Sequence, residues 1–418
     1  MNIIFVTDSA RLDGGISQVA IQAAAALAER GHAVYYFCAE GPADRLLADR
    51  LPAERIVIHA TPHILTDKNR LRAAFRGIAN YAVAEALKAF LQPFDPADTV
   101  VHIHGWCKNL SPQIVREVLG SGLPAVQTLH EYFMVCPNGA FFDFQKQTIC
   151  ERKPLSLSCL ACHCDSRSYS HKLWRVARSG YQKFKLGLPD ARLAYITNSP
   201  LCRRVFTPQL PTDAKIFEVN NPIGVGVRPR APVEENQSLL FVGRFSREKG
   251  VLELAKVVGE LSAPAVFVGE GHLRSEMQRL APHATFTGWL GREEVYARMR
   301  AARALIFPST WYETQGLVTV EAAALGLPSV IADCTAAVDF LPDGIRAIHF
   351  RHDSTKALKS ALDRLQDDAL VRKLSQASYD WYWSAPWTPQ KHAGDLETVY
   401  GSLLERPPVR VENNALSA

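Results

Sequence analysis

Twice along these 418 residues a short β-branched apolar run ends in a polar, glycine-marked turn and passes directly into a helical stretch. The first run is Ile3-Ile4-Phe5-Val6 and the second is Leu239-Leu240-Phe241-Val242. Behind each, further apolar runs alternate with amphipathic stretches, the pattern of parallel sheets wound with helices. The first half predicts strands at 3–7, 34–38, 100–104, 124–129 and 193–197. The second predicts them at 239–242, 264–268, 284–287, 304–307, 329–332 and 346–349. Helices are predicted at 17–30, 249–261, 316–325 and 357–365, among others. A chain of this length exceeds what one core usually organises, so two domains are expected. The fold class expected is α/β: two Rossmann-like, doubly wound domains facing a cleft, with ligand outside the carboxyl ends of the strands.

Near Asn220-Asn221-Pro222-Ile223 an apolar strand ends, and a segment rich in Gly, Pro and Arg runs on to residue 236. It reads as a linker. The division expected is a first, acceptor-side domain over 1–222 with a cysteine-rich insertion at 136–164, and a second domain over 236–384. A closing helix over 385–407 comes after the Trp-rich stretch 381–387 and crosses back to the first domain. The last ten or so residues are polar and read as frayed. Hydrophobic content of 47% and charged content of 21% exclude a disordered or fibrous chain. The net charge of +5 suits phosphorylated substrates or an anionic membrane surface without choosing between them. No apolar run is long enough to span a bilayer, and Met1-Asn2 leads into a strand rather than a signal peptide. The expectation is a cytoplasmic chain, at the inner face of the membrane, with its nine cysteines reduced.

The most informative stretch lies between Phe307 and Leu327. A buried run ends in Pro308-Ser309-Thr310, and Glu313, Thr314, Gln315 and Gly316 lead into a helix that carries Glu321 two turns on. Free amides at that helix N-terminus suit a phosphate, and carboxylates on either side suit sugar and ribose hydroxyls. Spacing alone favours the plainer reading of a loop Glu and a solvated helix Glu. A second site tips the balance. Phe241-Val242-Gly243-Arg244 ends a strand and Ser246-Arg247-Glu248-Lys249-Gly250 opens a helix, so Arg244 and Lys249 face the same cleft. Two cations there can neutralise a diphosphate leaving group.

Together these residues resemble the group 1 (family 4) retaining glycosyltransferases of the GT-B fold. The resemblance rests on "ETQGLVTVE", "VGRFSREKG", "VGEG" at 268–271, "FTGWL" at 286–290 and "LDGGIS" at 12–17, in the family's order across nearly the whole chain. It implies that Arg244 and Lys249 hold the donor pyrophosphate and that Glu313 contacts the transferred sugar. The amides of Gln315, Gly316 and Leu317 would meet phosphate or sugar oxygens, and Glu321 the ribose. Trp289 and Leu290 resemble the segment that reads the base. Gly15 resembles the glycine that lets the first-domain loop approach the phosphates. His130, in "TLHEYF", resembles the histidine beside the reacting sugar, with a core histidine as its bland alternative. His102 and His104 alternate onto one face of their strand, and one of them can be structural.

The sequence contains no Asp-x-Asp pair, so the expectation is catalysis without a metal cofactor. The departing diphosphate would be stabilised by Arg244, Lys249 and the helix N-terminus. The resemblance implies front-face attack with the leaving phosphate oxygen taking the acceptor proton, so that Glu313 positions rather than attacks. The partners implied are a nucleotide-diphosphate sugar and a glycan or lipid-linked acceptor of polysaccharide biosynthesis. Nucleic acid is not expected, because the basic residues form no broad stripe. An epimerase-like enzyme acting on nucleotide sugars and a non-catalytic nucleotide-sugar-binding subunit are the alternatives.

Cys159 and Cys162 have metal-ligand spacing, and Cys136 with Cys150 would complete a four-thiolate site. Structural zinc and unligated thiols are the two readings. From Ser166 to Pro189 there are six Lys or Arg residues and no acid, with Leu173, Val176, Ala177 and Phe184 at helical spacing. Such a helix either rests on anionic lipid, a peripheral membrane contact, or packs its apolar stripe inward.

Overall fold

The computed structural model describes residues 1–12 and 14–405. The tail expected to fray and the final residues of the closing segment, 406 and 407, lie outside the described residues. In chain order the strands are β1 (Asn2–Ser9), β2 (Ala33–Glu40), β3 (Ile56–Ile58), β4 (Thr99–Ile103) and β5 (Ala125–Thr128). A short hairpin of β6 (Phe142–Asp143) and β7 (Thr148–Ile149) comes next, then β8 (Ala194–Thr197) and β9 (Ile216–Glu218). The second half holds β10 (Leu239–Val242), β11 (Ala265–Val268), β12 (Thr285–Gly288), β13 (Ala304–Phe307), β14 (Ser329–Ala332) and β15 (Ala347–Phe350).

These strands form two parallel sheets, ordered β3-β2-β1-β4-β5-β8-β9 and β12-β11-β10-β13-β14-β15. Each sheet therefore reverses its strand order beside its own first strand, at β1/β4 and at β10/β13. In a doubly wound sheet that reversal opens a crevice at the carboxyl ends of the strands. The continuous apolar runs are what such burial requires: in β1 every residue from Ile3 to Ser9 is buried, with Ile3 opposite both Val34 and Val100.

Seven helices frame the two crevices and their surroundings: α1 (Gly15–Glu29), α2 (Arg70–Ile78), α3 (Tyr169–Gly180), α4 (Val251–Leu261), α5 (Leu317–Ala324), α6 (Asp368–Ser384) and α7 (Pro389–Leu404). The alanines Ala23 to Ala26 of α1 are all buried, small enough for the helix to lie close on its sheet. One face of the first sheet buries Ile3, Phe5 and Val34 against α1 and against Leu396, Val399, Tyr400 and Leu403 of α7. The C-terminal helix is thus a component of the first domain's core. Three polar ties fix it there. The Tyr400 hydroxyl meets His102 Nδ1 at 2.6 Å, and Glu397 takes Arg30 at 2.6 Å and His32 at 2.7 Å. Glu397 is held down to a pKa of about 2, first by its hydrogen bond to Arg30.

The segment expected to be a linker up to residue 236 is not a solvated connector. Ile223, Val225, Ala231 and Val233 are buried in the second domain's core, and Trp387 joins them there. Their apolar side chains recur among the Gly, Pro and Arg residues that give the segment its linker-like composition. The Ile223 amide also donates to the Trp387 carbonyl at 2.8 Å, so the two chain crossings run side by side.

Leu396 is fully buried against the first sheet. Leu396→Ala is expected to destabilise the protein by about 2–5 kcal/mol through lost transfer energy and a residual cavity. Urea unfolding followed by tryptophan fluorescence checks this, and a loss below about 1 kcal/mol would mean that α7 is only loosely docked.

Candidate active site

The loops that leave β10 and β13 are pressed together at the second sheet's reversal point. Lys249 closes a short 3₁₀ turn (Arg247–Lys249), and Gly250 comes next with φ of 64°. A Cβ at Gly250 would stand 2.0 Å from the Pro308 carbonyl oxygen, so a glycine is required on both steric and conformational grounds. The Thr310 amide then donates to the Glu248 carbonyl at 2.9 Å. The outcome is that Lys249 Nζ lies 2.7 and 2.8 Å from the two carboxylate oxygens of Glu313. Trp311 Nε1 also donates to Glu313 at 2.7 Å, and its ring lies 5.6 Å from the ammonium. An ammonium has three protons; two serve Glu313, and the third remains to turn toward a ligand oxygen.

Beyond Glu313 the chain turns into α5 through Gly316, at φ of 76°, with no side chain capping the helix. First-turn amides are thereby left for an incoming group rather than consumed by a cap. Leu317 opens that helix. Gln315 is buried with its side chain accepting from the Asn221 amide at 3.2 Å, so it ties the site to the chain crossing between domains. Two turns on, Glu321 lies within 3.5 Å of the Tyr296 hydroxyl. Burial pushes the Glu321 carboxyl up to about 7, against the opposing effects of Arg292 and Tyr296. Arg244 is largely exposed at the rim, 3.4 Å from Glu248. Trp289 is exposed and Leu290 half-buried, just after Gly288 at φ of 79°. Gly15 begins α1 in the first domain, and a Cβ there would meet nothing within 4 Å. In this arrangement it borders open space.

The first domain reaches this site through His130. Its carbonyl accepts from Thr314 Oγ1 at 3.3 Å, one residue from Glu313, and Ser199 Oγ donates to the Thr314 carbonyl. His130 Nε2 meets His104 Nδ1 at 3.0 Å. Burial lowers the His130 pKa to about 3, so the ring is neutral near pH 7. His102 instead spans Tyr400 and Thr128 Oγ1, at 2.6 and 2.7 Å, which makes it a core tie between β4, β5 and α7.

The cysteine set does not converge as expected. Cys162 Sγ turns to Asp143 at 3.3 Å, while Cys150 Sγ lies 3.6 Å from Arg152. Cys159 and Cys164 face the buried Lys172 ammonium at 3.5 and 3.2 Å, and Cys136 faces Asn138. Among the described residues the one group of three or more potential ligands mutually within 4.8 Å is Asp333, Cys334 and His352. A lysine cation stands where Cys159 and Cys164 meet. The basic helix is likewise inverted from the inward-packing reading. In α3, Lys172 and Arg178 are buried, whereas Leu173 and, in the π-helical turn beyond, Phe184 are exposed.

Two features have no counterpart in the sequence motifs. Asp8 accepts from the amides of Lys108, Asn109 and Leu110 at 3.0, 2.8 and 3.0 Å, which shapes the loop after β4. A largely apolar cavity of about 300 Å³ opens at the carboxyl ends of β1 and β4, beside His130, between α2 and α3. The polar end of β1 hints at the first feature; no local pattern announces the second.

Comparison with known proteins adds three findings. The sequence profile described as Glycosyltransferase Family 4 matches residues 13–225, and that described as Glycosyl transferases group 1 matches residues 236–368. A GDP-mannose-dependent alpha-mannosyltransferase of Corynebacterium glutamicum is 28% identical over 148 residues, 35% of this chain and 36% of the relative. The chain thus spans about a third to a half of the length of the curated relatives it matches. In structure, sucrose-phosphate synthase from Thermosynechococcus elongatus aligns with a TM-score of 0.67 at 18% identity, over 96% of this chain and 98% of that one. Anabaena Alr3699/HepE in complex with UDP-glucose aligns with a TM-score of 0.64 at 14% identity, over 96% and 100%. The fold is the two-domain GT-B arrangement.

The raised Glu321 pKa makes stability fall with pH. The folded state holds this proton to about 7, whereas the unfolded carboxyl releases it at 4.5, so the stabilisation is complete below 4.5 and lost as pH rises through 7. Urea unfolding at about pH 5 and about pH 8 should show the decline, and Glu321→Gln should flatten it. An equal slope in the variant would assign the effect elsewhere.

Proposed function

The chain belongs to glycosyltransferase family 4, and on that premise we propose that it transfers a hexose from a nucleotide-diphosphate sugar to a glycan or lipid-linked acceptor, with retention at the anomeric carbon. The single observation that carries this is the Lys249–Glu313 pair at 2.7 Å, set beside the uncapped N-terminus of α5 at the strand-order reversal. A cation, a helix N-terminus and a carboxylate within one loop pair match a phosphate joined to a sugar. The C. glutamicum relative is named for GDP-mannose and the Anabaena structure contains UDP-glucose, so both nucleotides belong among the candidate donors.

In this reading Lys249 and Arg244 hold the pyrophosphate, with the amides of Gln315, Gly316 and Leu317 on its oxygens. Glu313 orients the sugar, and Glu321 hydrogen-bonds the ribose hydroxyls. The base stacks near Trp289 and Leu290, and the Gly15 loop closes on the phosphates from the other domain. The bond from the anomeric carbon to the phosphate oxygen breaks and one to the acceptor oxygen forms on the same face. The acceptor proton passes to the departing phosphate oxygen, and neutral His130 hydrogen-bonds the sugar beside it. Surface or exopolysaccharide biosynthesis is the role assigned. The place proposed is the cytoplasm, at the inner face of the membrane.

A thermal-shift panel of nucleotide sugars, followed by donor-hydrolysis and transfer assays on the best stabiliser, tests the reading. Lys249→Ala is expected to lower turnover by about two orders of magnitude, the usual effect of losing one transition-state charge partner. Turnover within a few-fold of the parent, or a panel in which no nucleotide sugar stabilises the protein, overturns it.

A further inference from the structure

The cavity in the first domain is lined by a buried cation that has no ion-pair partner among the described residues. Arg178 of α3 is 3% exposed. Its guanidinium stacks on Phe133 at 4.6 Å and Trp174 at 5.3 Å. One nitrogen donates to the Cys107 carbonyl at 3.4 Å, and Nη2 has no partner. Among the described residues no carboxylate lies within ion-pair distance of it, although a buried cation normally requires one. The acids nearby face other groups or are disfavoured as anions by burial. Asp8 is occupied by three backbone amides, and burial raises the Glu131 carboxyl toward its neutral form. Arg175 is matched by Asp165 at 3.2 Å, and Arg70 donates to the Ile64 and Leu65 carbonyls.

Much of the cavity wall is apolar, although His63, Arg70, Lys108, Arg167 and His171 also line it. Ile64, Leu65, Ala74, Phe133 and Trp174 line it, and Trp174 donates to the Ala74 carbonyl to join α3 to α2. At the mouth Leu65 is 47% exposed, and the same two helices expose Leu71, Phe75 and Leu173 to solvent. Hydrocarbon thus runs from the buried cation out to the surface. The inner end adjoins Glu131, next to His130, whose carbonyl meets the Thr314 hydroxyl of the donor-side loop.

We propose that this cavity is the acceptor site and that it takes an amphiphilic anion: a phosphate or similar group on Arg178, a hydroxyl toward the donor that supplies the attacking oxygen and the proton, and a hydrocarbon tail leaving between α2 and α3. The proposal rests on the chain being a sugar transferase and narrows the acceptor to one class. The shared chemistry is a phosphoryl group on an alkyl chain, whether presented as a single molecule or within a bilayer.

Binding of decyl phosphate below its micelle concentration, measured by calorimetry, tests it, with inorganic phosphate, decyl maltoside and anionic phospholipid vesicles as comparisons. Decyl phosphate is expected to bind at least about tenfold more tightly than either the free anion or the neutral amphiphile. Arg178→Gln is expected to weaken it about tenfold or more, as loss of a charge-assisted contact does. Leu65→Glu, a surface change that leaves the core intact, should weaken it comparably by placing like charge at the mouth. UDP-glucose or GDP-mannose binding in the same variants reads the donor site separately, so a failed donor panel condemns the transferase reading and not this site alone. Equal affinity for decyl maltoside, undiminished binding in both variants, or binding to vesicles without binding to the monomer would each overturn the acceptor assignment.

Discussion

The contact between Gly250 and the Pro308 carbonyl sets the geometry on which the second domain's chemistry depends. With a Cβ excluded at 2.0 Å, the two loops at the carboxyl ends of β10 and β13 approach to backbone hydrogen-bond distance. Lys249 is carried by one loop and Glu313 by the other, and neither side chain could reach its partner if the loops stood apart by a side-chain width. Because both are only about 15% exposed, the pair sits in a region of reduced screening where a fixed charge has most effect on a neighbouring phosphate. Glycine at this position therefore acts at a distance: it has no atom in the chemistry and decides where the charge stands.

At its contact with the Thr314 loop the first domain presents a neutral histidine rather than a charge. His104 and His130 share one hydrogen bond in a buried setting that lowers both pKa values. A neutral His130 ring brings no second charge toward the loop that carries the Lys249–Glu313 pair. Where the two halves of the cleft meet they thus differ: an ammonium–carboxylate pair on one side, an uncharged histidine pair on the other.

Much of this is legible in the sequence because strands buried on both faces need unbroken apolar runs, and strand-end glycines mark the turns between them. The strands around Ile3, Val34, Val100, Leu239 and Ala304 obey that rule directly. The short strands β3 and β9 do not, because their residues are half-exposed and too few to form a run. The interdomain segment is misleading for a related reason: the buried Ile223, Val225, Ala231 and Val233 stand apart among polar and turn residues. In the candidate site, residue types and order are readable, but the direct Lys249–Glu313 bond is not, since it needs two loops 64 residues apart. The basic helix misleads more deeply. Periodicity assumes that charge faces water, and here thiols shelter Lys172 while three aromatic rings shelter Arg178.

The position of α7 has a consequence for how the protein is made. The first domain's sheet is complete by Glu218, yet the helix that covers one of its faces ends at Leu404. During synthesis that face of the amino-terminal sheet, with α1 already on it, must wait for the rest of its cover until Leu404 has left the ribosome. The second domain has no such debt, because its buried cluster is supplied by residues from Ile223 to Trp387. Vectorial synthesis would therefore let the later domain finish first and the earlier one last, with the final helix acting as the latch that commits both.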